Sequence, residues 1–469
     1  MRKIAIIGAG SIVFCKTLVL DIMATPSLRD SEFALMAPST RNTSQVEAFL
    51  NKVIEKEELP AKVWKTTDRC EALKDADYVI LCFQIGGVRA FDMDVNIPLK
   101  YGVNACIGDT MGPGAIFRAL RTIPVIREIA EEVRELCPKA LILNYVNPMA
   151  MVGWTLGREN LNYVGLCHGV QTTMDLIAGY CDVDKKDVDF IEAGINHMGW
   201  FLRLEKDGED LYPKLREVFE KPEYYVNEKV RGEVFRNFGY FMTESTGHLS
   251  EYLPYFRKNQ KALDLYCDEP GFGGECGAYL KHCSYVADKY RNHLLDNEPI
   301  MLPKRSVEYC SYIMEAIETG VPFQFNGNVL NHGMITNLPE DCCAEGPIYA
   351  DATGLHRCIV GELPMQLAAL NMSNINVQRL AVNAGYTGNP EDIVYACALD
   401  PLTSSVLTLA EIRKMVSEML EAEREWLPQF EDRSVTERND ISIPNNIKRA
   451  PVPVDPALAI MARMDELGE

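Results

Sequence analysis

The sequence predicts an α/β fold whose N-terminal part is a doubly wound, Rossmann-type parallel sheet. The chain opens with a short apolar, β-branched run, Lys3–Ile7, which has the composition of a buried parallel strand. A glycine-containing turn, Gly8–Ser11, leads directly from this run into a helical pattern. Strand-like runs and helical patterns then alternate as far as Cys167, and such alternation is typical of a parallel sheet covered by helices.

Residues suited to binding or chemistry stand directly after several predicted strands. The predicted elements are a strand at Lys3–Ile7, a helix at Phe14–Met23, strands at Phe33–Met36 and Tyr78–Phe83, a helix at Ile116–Leu136, and strands at Leu141–Val146 and Tyr163–Cys167. In a doubly wound sheet, ligands bind at the carboxyl ends of the strands. The motifs at those ends are Gly8–Ser11, Gln84–Gly87, Asn147–Pro148 and Cys167–His168. We therefore expect an active site along this edge of the sheet.

The glycine turn after the first strand is a candidate dinucleotide-binding turn. Glycine lets a phosphate approach the backbone N–H groups at the start of a helix. The third glycine of the usual fingerprint is absent, because Val13 takes its place. The position between an N-terminal strand and a helix still favours a nucleotide cofactor. We expect it to contact Gly8, Gly10 and Ser11, with Gln84 from a later strand end.

Beyond residue 190 the pattern changes to longer helices. Segments 208–300 and 355–430 are helix-rich, and Phe323–Asp351 between them predicts strands with turns at Asn326-Gly327 and Asn331-His332-Gly333. A chain of 469 residues is long enough for two or three closely joined domains. We expect a dinucleotide-binding domain at 1–165, a helix-rich α+β domain for catalysis, metal binding and oligomerisation at 166–432, and an extended, proline-containing arm at 433–469.

The composition is that of a soluble globular enzyme, with 47% hydrophobic and 24% charged residues. A net charge of −20 would repel phosphates and argues against a nucleic-acid partner. The most apolar long stretch, Ala140–Gly157, is interrupted by Asn144, Asn147 and Pro148, so no membrane span is expected. The 15 cysteines are scattered without a regular framework, which indicates reduced thiols and a cytoplasmic location.

Cys167, His168 and His197 form a candidate metal or proton-transfer cluster. Thiolate and imidazole are ligands that borderline-soft divalent metals accept. The same three residues are also compatible with ordinary packing, and the motifs around them favour chemistry over packing.

Five motifs follow one another along the chain: Gly8–Ser11, Gly108–Gly114, Asn144–Met149, Cys167–Val170 and Ile195–Met198. Together they resemble glycoside hydrolase family 4, whose members require a nicotinamide cofactor and a divalent metal. The resemblance runs from residue 1 to about Phe430. It is strongest to the melibiose-type α-galactosidases, through Phe83–Gly87, Gly239–Ser245 and Asn374–Gln378. It implies a fold like that of lactate and malate dehydrogenases.

The resemblance also implies a route that differs from the two-carboxylate route of ordinary glycosidases. In the family's scheme, oxidised NAD takes a hydride from C3 of the sugar, and the new ketone acidifies the C2 proton. A base removes that proton, a divalent metal such as Mn²⁺ stabilises the enediolate, and the aglycone leaves from C1. Water then adds and the hydride returns, so the net reaction is hydrolysis.

The resemblance assigns roles to individual residues. Cys167 and His197 match the metal ligands, and Asn147 matches a substrate-binding asparagine. His168 stands where relatives carry the acid that protonates the leaving group; the alternative is that it orients Cys167. Asp109 matches a carboxylate that supports the base; the alternative is that it caps the helix that follows.

The base that removes the C2 proton is left open between His248 and Tyr252. Relatives use a tyrosine or an aspartate in the corresponding region, which here is segment 243–252. The two residues are four positions apart and so share one helical face.

NAD is the expected cofactor, and NADP is also possible. Relatives usually place an aspartate for the adenosine ribose after the second strand, whereas this chain has Ala37-Pro38-Ser39-Thr40-Arg41. An acid there would repel a 2′-phosphate, whereas hydroxyl groups and Arg41 would tolerate one.

We interpret the chain as an α-glycosidase for an unphosphorylated small oligosaccharide or glycoside, with α-galactosides as the first choice. Phosphate-specific relatives carry Cys-Asn or Cys-Asp in place of Cys167-His168. α-Glucosidase and α-galacturonidase are alternatives within the family, since Cys-His-Gly also occurs in α-glucosidase relatives.

Outside the family, one alternative is a 2-hydroxy acid dehydrogenase that binds its substrate carboxylate with Arg118 or Arg121. It would leave the Cys167/His197 pair unexplained. A non-catalytic nucleotide-sensing module would not explain the many polar residues at the carboxyl ends of the strands. We expect a homodimer or homotetramer.

Overall fold

A computed structural model describes residues 1–287, 295–438, 441–448, 450–453 and 455–466. Its strands are β1 (Lys3–Ile7), β2 (Glu32–Met36), β3 (Lys62–Thr66), β4 (Tyr78–Leu81), β5 (Leu141–Asn144), β6 (Tyr163–Gly165), β7 (Asp189–Ile195), β8 (Met198–Lys206), β9 (Glu209–Asp210), β10 (Phe323–Leu330), β11 (Cys343–Asp351) and β12 (Gly354–Arg357). They form one mixed sheet in the order β3-β2-β1-β4-β5-β6-β10-β11-β7-β8-β9, and β12 pairs with β11.

The first six strands are parallel and make the predicted Rossmann-type sheet. The central strand β4 is buried along its whole length, and β1 is buried from its second residue onward. The predicted fold class is therefore confirmed. β3 was not predicted, because it lies at the sheet edge and its five residues, three of them polar, are only half-buried or exposed.

The helices pack on both faces of the parallel strands. Ile4 and Ile6 of β1 belong to one hydrophobic cluster, whereas Ala5 and Ile7 belong to another on the opposite face. The helices are α1 (Ile12–Ala24), α2 (Thr40–Lys56), α3 (Arg69–Leu73), α4 (Gly87–Lys100), α5 (Pro113–Leu136), α6 (Met149–Arg158), α7 (Gly169–Cys181), α8 (Tyr212–Phe219), α9 (Pro222–Tyr225), α10 (Lys229–Phe238), α11 (Thr246–Leu249), α12 (Gln260–Tyr266), α13 (Ala278–Tyr285), α14 (Cys310–Thr319), α15 (Met365–Thr387), α16 (Pro390–Leu399), α17 (Pro401–Val406), α18 (Leu409–Ala422) and α19 (Pro456–Glu466).

Beyond β6 the sheet continues with antiparallel strands. β10 pairs with both β6 and β11, and β11 pairs with β7, so strands from both halves of the chain share one sheet. β7 and β8 form a hairpin whose loop is Asn196-His197. The sequence did not predict this hairpin, and it carries one of the candidate metal ligands.

The predicted turn at Asn326-Gly327 is wrong. Both residues lie inside β10, where the buried Asn326 amide donates to the backbone oxygen of Glu192 at 3.2 Å. Gly327 allows close packing there, because a Cβ at this position would lie 2.7 Å from Val164. The turn predicted at Asn331-His332-Gly333 is confirmed, since the chain leaves β10 at that point.

The C-terminal segment follows the last strand and the helix bundle. Its described residues before α19 form neither helix nor strand, and the predicted arm did not include α19. The predictions for positions 288–294, 439–440, 449, 454 and 467–469 lie outside the described residues. Within the parts of the chain that are described, no helix has both the length and the apolar composition needed to cross a bilayer.

Candidate active site

The glycine turn after β1 has the geometry of a nucleotide-binding turn. Gly8 has a φ of 102°, and a Cβ there would lie 2.6 Å from the backbone oxygen of Cys82, so this position requires glycine. Ser11 is the exposed N-cap of α1, and its side chain makes no capping hydrogen bond. The first N–H groups of α1 and the Ser11 hydroxyl are thus placed for an anionic ligand. A Cβ on Gly10 would make only ordinary contacts, 3.7 Å from Cβ of Ala37 and 3.9 Å from Asn42.

Gln84 lies just beyond the end of β4, the neighbour of β1. Its side chain is exposed, and its amide donates to the backbone of its own loop. Arg121 supports this loop, because its Nε donates to the backbone oxygen of Ile85 at 3.0 Å. The rest of the Arg121 guanidinium lies between the buried carboxylates of Asp94 and Glu423.

The two predicted metal ligands lie side by side. The Sγ atom of Cys167 is 3.4 Å from Nε2 of His197. His197 has a φ of 63°, a left-handed conformation that is uncommon outside glycine and often occurs at functional sites. A metal with bonds of about 2.3 Å to sulfur and about 2.1 Å to nitrogen reaches both atoms at once. The pair therefore fits a divalent metal ion.

The other nitrogen of His197 faces a second group of side chains. Nδ1 lies 3.0 Å from the Tyr252 hydroxyl and 3.3 Å from Oε2 of Glu244. Glu244 also lies 3.5 Å from Nδ1 of His248. Ligand atoms of His197, Glu244 and His248 all lie within 4.8 Å of one another, which is a second arrangement able to hold a metal.

Sequence reasoning missed Glu244 as a site residue. It stands inside the motif Gly239–Ser245, four positions before His248. A spacing of four was the available signal in the sequence. In the structure Glu244 lies before α11, whose N-cap is Ser245.

Both residues proposed for the base lie in this cluster. The Tyr252 hydroxyl is 3.0 Å from Nε2 of His248, and His248 lies on the short helix α11. Oδ1 of Asp109 is 3.5 Å from the same nitrogen of His248. The three side chains form a connected chain of proton-carrying groups.

Asp109 is held by neighbours on three sides. The Asn147 amide donates to its Oδ2 at 3.1 Å, the Thr110 hydroxyl donates to Oδ1 at 2.9 Å, and Nη1 of Arg118 lies 3.7 Å from Oδ2. The alternative role of Asp109 as a helix cap is wrong, because the N-cap of α5 is Gly112 and it has no side-chain cap.

Burial and charge set the protonation of the cluster. Burial raises the pKa of the Cys167 thiol, so a thiolate at this position needs a cation beside it. Burial alone would lower the pKa of His248, but the charge and hydrogen bond of Glu244 raise it to about 9. Burial likewise works against the charged form of Asp109, yet Arg118 and His248 hold its pKa below the usual range.

His168 flanks the cluster and has its own partner. Its Nδ1 lies 3.3 Å from Oε1 of Glu308, and its side chain is 57% exposed. The hydrogen bond to Glu308 raises the pKa of His168, against the opposing effect of burial. Besides its contact with His197, Sγ of Cys167 accepts a hydrogen bond from the backbone N–H of Gly169 at 3.4 Å. Glu308 had no signal in the sequence, because it comes from a distant segment.

The structure thus brings six of the predicted residues into one connected cluster: Asp109, Asn147, Cys167, His197, His248 and Tyr252. His168 lies at its border, next to Cys167 in the chain. Gly8, Gly10, Ser11 and Gln84 lie at the carboxyl ends of the neighbouring strands β1 and β4.

Comparison with known proteins places these features in a family. Residues 3–183 match the family 4 glycosyl hydrolases, and residues 192–403 match the C-terminal domain of that family. An α-galactosidase of Rhizobium meliloti (strain 1021) is 41% identical over 438 residues, which cover 91% of this chain and 89% of that protein. An α-galactosidase of Bacillus subtilis (strain 168) is 39% identical over 439 residues, which cover 92% of this chain and 100% of that protein.

A solved structure shares the fold. The 6-phospho-β-glucosidase from Thermotoga maritima, with manganese, NAD⁺ and glucose-6-phosphate, has a TM-score of 0.74 and 24% identity over 91% of this chain and 99% of that one. The two sequence relatives and the matches to both parts of the family cover most of the chain. The resemblance read from the motifs is confirmed, and the chain belongs to the family 4 glycosyl hydrolases.

Proposed function

We propose that this glycosyl hydrolase cleaves α-galactosides of unphosphorylated sugars, with NAD and a divalent metal, Mn²⁺ first, as cofactors. The observation that carries the proposal is the Cys167–His197 pair with its 3.4 Å separation. It occurs in a chain that is 41% identical to an α-galactosidase over most of both lengths. A solved structure of similar fold contains both NAD⁺ and manganese.

The glycine turn would hold NAD, and Cys167 with His197 would hold the metal. When bound, NAD supplies a reversible hydride acceptor and the metal stabilises negative charge on the sugar oxygens. Gly8 keeps the backbone free of a side chain where a pyrophosphate approaches, and Ser11 adds a hydroxyl at the start of α1. Gln84 extends the same surface from the end of β4.

His197 offers two nitrogen atoms, so two metal positions compete. Nε2 faces Cys167, whereas Nδ1 faces Glu244 and His248. A metal on Nδ1 would occupy His248 and prevent it from accepting a proton. We favour the position at Cys167, because it leaves the hydrogen-bonded pair of His248 and Tyr252 intact for proton transfer.

His248 and Tyr252 would act together as the base at C2. Because Glu244 raises the pKa of His248 to about 9, base action by the unprotonated imidazole would increase as the pH rises toward that value. Their 3.0 Å hydrogen bond lets a proton pass from one to the other, and Asp109 would stabilise the imidazolium that forms. Asn147 is bound to Asp109 through its amide nitrogen, and its amide oxygen can accept a hydrogen bond from a sugar hydroxyl.

His168 would protonate the leaving group. Its imidazole is partly exposed, as contact with an aglycone requires, and Glu308 stabilises its protonated form. This partner supports the acid role over the alternative in which His168 only orients Cys167.

The charges around the cluster favour a neutral sugar. Carboxylates surround it, namely Asp109, Glu244 and Glu308. The nearby Arg118 is balanced by Asp109 at 3.7 Å, and Arg121 is enclosed by two buried carboxylates. Arg121 is thus not free to bind a substrate carboxylate, whereas Nη1 of Arg118 makes no hydrogen bond within the described residues. The larger number of carboxylates around the cluster disfavours an α-galacturonide and a 2-hydroxy acid.

Release of nitrophenol from nitrophenyl α-galactoside tests the proposal. We expect turnover only when NAD and Mn²⁺ are both present, and slower turnover of the matching α-glucoside and α-galacturonide. Turnover without either cofactor would contradict the mechanism. Faster turnover of the α-glucoside or the α-galacturonide would instead move the specificity to that alternative.

We also infer that the protein is a cytoplasmic homodimer or homotetramer. All 15 cysteines are free thiols, which suits a reducing compartment. Ile359 and Met365 are 81% and 85% exposed, and contact with another subunit would cover them. Light scattering of the purified protein would give the subunit number, and a monomer would contradict the inference.

A further inference from the structure

Glu251 is a buried carboxylate that the proposed mechanism does not use. It directly precedes Tyr252 and follows His248 by three positions. Its Oε1 accepts the backbone N–H groups of Cys106 at 2.7 Å and Ile107 at 2.6 Å, and its Oε2 accepts that of Gly108 at 2.9 Å. Three consecutive N–H groups therefore converge on one carboxylate.

The bound N–H groups belong to the loop that carries Asp109. This loop joins α4 to α5, and Gly108 within it has a φ of 70°. The backbone oxygens of Ala105 and Cys106 accept from the N–H groups of Gly277 and Tyr279 at the start of α13, so the loop is held by contacts from distant segments. Glu251 accepts hydrogen bonds from the backbone N–H groups of residues 106–108, which directly precede Asp109.

Arg257 holds the beginning of the same loop. Its Nε donates to the backbone oxygen of Asn104 at 2.6 Å, and both of its terminal nitrogens donate to the backbone oxygen of Gly274 at 3.0 Å. Nη1 also donates to the hydroxyl of Ser250 at 3.1 Å. Segment 250–257 thus holds loop 104–108 at both ends.

This arrangement links two parts of the active site that are far apart in sequence. Asp109 lies on one side, and His248 and Tyr252 lie on the other, with 3.5 Å between Asp109 Oδ1 and His248 Nε2. Because Glu251 belongs to the same short segment as His248 and Tyr252, its grip on residues 106–108 sets that separation.

We propose that Glu251 is a positioning residue for proton transfer at C2: it fixes Asp109 against His248 and Tyr252. The inference rests on the proposed function, in which these three side chains handle the C2 proton. Glu251 itself touches the backbone of the loop and has no need to contact the substrate. A residue of this kind affects the step that it aligns more than it affects binding.

Glu251→Gln is the direct test. The amide keeps the size of the side chain, but its NH₂ group faces an N–H donor and one hydrogen bond becomes a repulsion. With NAD and Mn²⁺ bound to the full chain, we expect kcat to fall about 10- to 100-fold. We expect the substrate KM and the NAD affinity to change by less than about twofold, since uniform binding is retained. The deuterium isotope effect at C2 should rise, because proton removal becomes the slower step.

Two comparisons separate positioning from simple stability. Glu391→Gln is the matched control, because Glu391 also accepts a backbone N–H, from Thr436, and its other partner is Arg413, away from the site. A double-mutant cycle with Asp109→Asn gives the second comparison. If Glu251 acts through Asp109, adding Glu251→Gln to Asp109→Asn should cost little further activity.

Several outcomes would overturn the inference. One such outcome is that the activity losses of Glu251→Gln and Asp109→Asn multiply in the double variant. Another is that the activity of Glu251→Gln falls only in proportion to its folded fraction, with unchanged isotope effects. Either would show a purely structural role for Glu251. If Glu251→Gln does not fold, Glu251→Asp provides the same readouts with the charge retained on a shorter side chain. An absence of C2 exchange in the unmodified enzyme would instead refute the proposed function.

Discussion

The Tyr252 hydroxyl lies 3.0 Å from Nε2 of His248, and the same hydroxyl lies 3.0 Å from Nδ1 of His197. Tyr252 therefore stands between the imidazole of a proposed metal ligand and the imidazole of a proposed base. A hydroxyl can donate to one nitrogen and accept from the other. Charge on the metal ligand can thus influence the proton at His248 through a single phenol.

The first prediction identifies the base by comparing His248→Ala with Tyr252→Phe. His248 is 7% exposed and Tyr252 is 1% exposed, so the imidazole has the better access to a substrate. We expect His248→Ala to slow uptake of deuterium at C2 from heavy water by about 100-fold or more, and Tyr252→Phe to slow it less. The reverse order would assign the base to Tyr252. Products formed by the unmodified enzyme without exchange would indicate an ordinary two-carboxylate glycosidase.

The second prediction concerns the metal ligands. Cys167→Ser and His197→Ala should each abolish turnover and lower the bound Mn²⁺, with little change in the thermal unfolding midpoint. The reason is that a hydroxyl is a weaker ligand than a thiolate, and alanine offers none. Cys358→Ser, outside the site, is the control and should retain full activity. Full activity of either ligand variant without added metal would refute the assignment.

A third variant decides between the two metal positions. Glu244→Gln should leave the metal content nearly unchanged if the ion lies at Cys167 and Nε2 of His197. A loss of bound metal equal to that in His197→Ala would place the ion at Nδ1, with Glu244 and His248. Metal analysis of the three purified variants gives the answer.

The fourth prediction is a shift in the pH profile of Glu308→Gln. Glu308 raises the pKa of His168, and an acid must be protonated to act. The acid's contribution is present below that pKa and is lost as the pH rises through it. Removing the charge of Glu308 lowers the pKa of His168, so activity should be lost at a lower pH. The shift should be visible with alkyl galactosides, because their poor leaving groups need protonation by the acid. It should be absent with dinitrophenyl galactoside, whose leaving group departs without protonation. An unchanged alkaline limb with the alkyl substrate would contradict the role.

The fifth prediction concerns the adenosine ribose. Ala37 follows β2 directly and lies beside Gly10 of the cofactor turn. Ala37→Asp should strengthen NAD binding by about 1.5–3 kcal/mol, the contribution of a charge-assisted hydrogen bond. It should also weaken NADP binding, because a carboxylate repels a 2′-phosphate. Titration of both cofactors into both proteins measures this. Unchanged NADP affinity would show that the loop does not reach the ribose.

Local patterns predicted much of the N-terminal half. The strand Lys3–Ile7 and the turn after it were recognisable because apolar runs and glycines act over a few residues. The pairing of Cys167 with His197 could also be expected, since both residue types bind the same metals. The strand and the turn depended on residue type and short spacing, whereas the Cys167–His197 pair, 30 positions apart, depended on residue type and on the family resemblance.

Contacts between distant segments could not be predicted in this way. Glu251 reaches a backbone N–H 145 positions away, and its sequence neighbourhood carries no trace of that partner. The β7–β8 hairpin was missed for a different reason. Its loop is Asn196-His197, whereas hairpin loops with positive φ usually contain glycine, so the common turn signal was absent.

The sheet that runs from β3 to β9 also constrains how sugars enter and leave. Asn328 of β10 pairs with Gly165 of β6, and Glu345 of β11 pairs with Gly194 of β7. If the N-terminal and C-terminal halves of the chain opened and closed as rigid bodies, these interstrand hydrogen bonds would break at every turnover. We therefore expect admission of substrate and release of product to depend on loop motion. Where release limits the rate, viscosity and loop substitutions should govern kcat more than any motion between the halves.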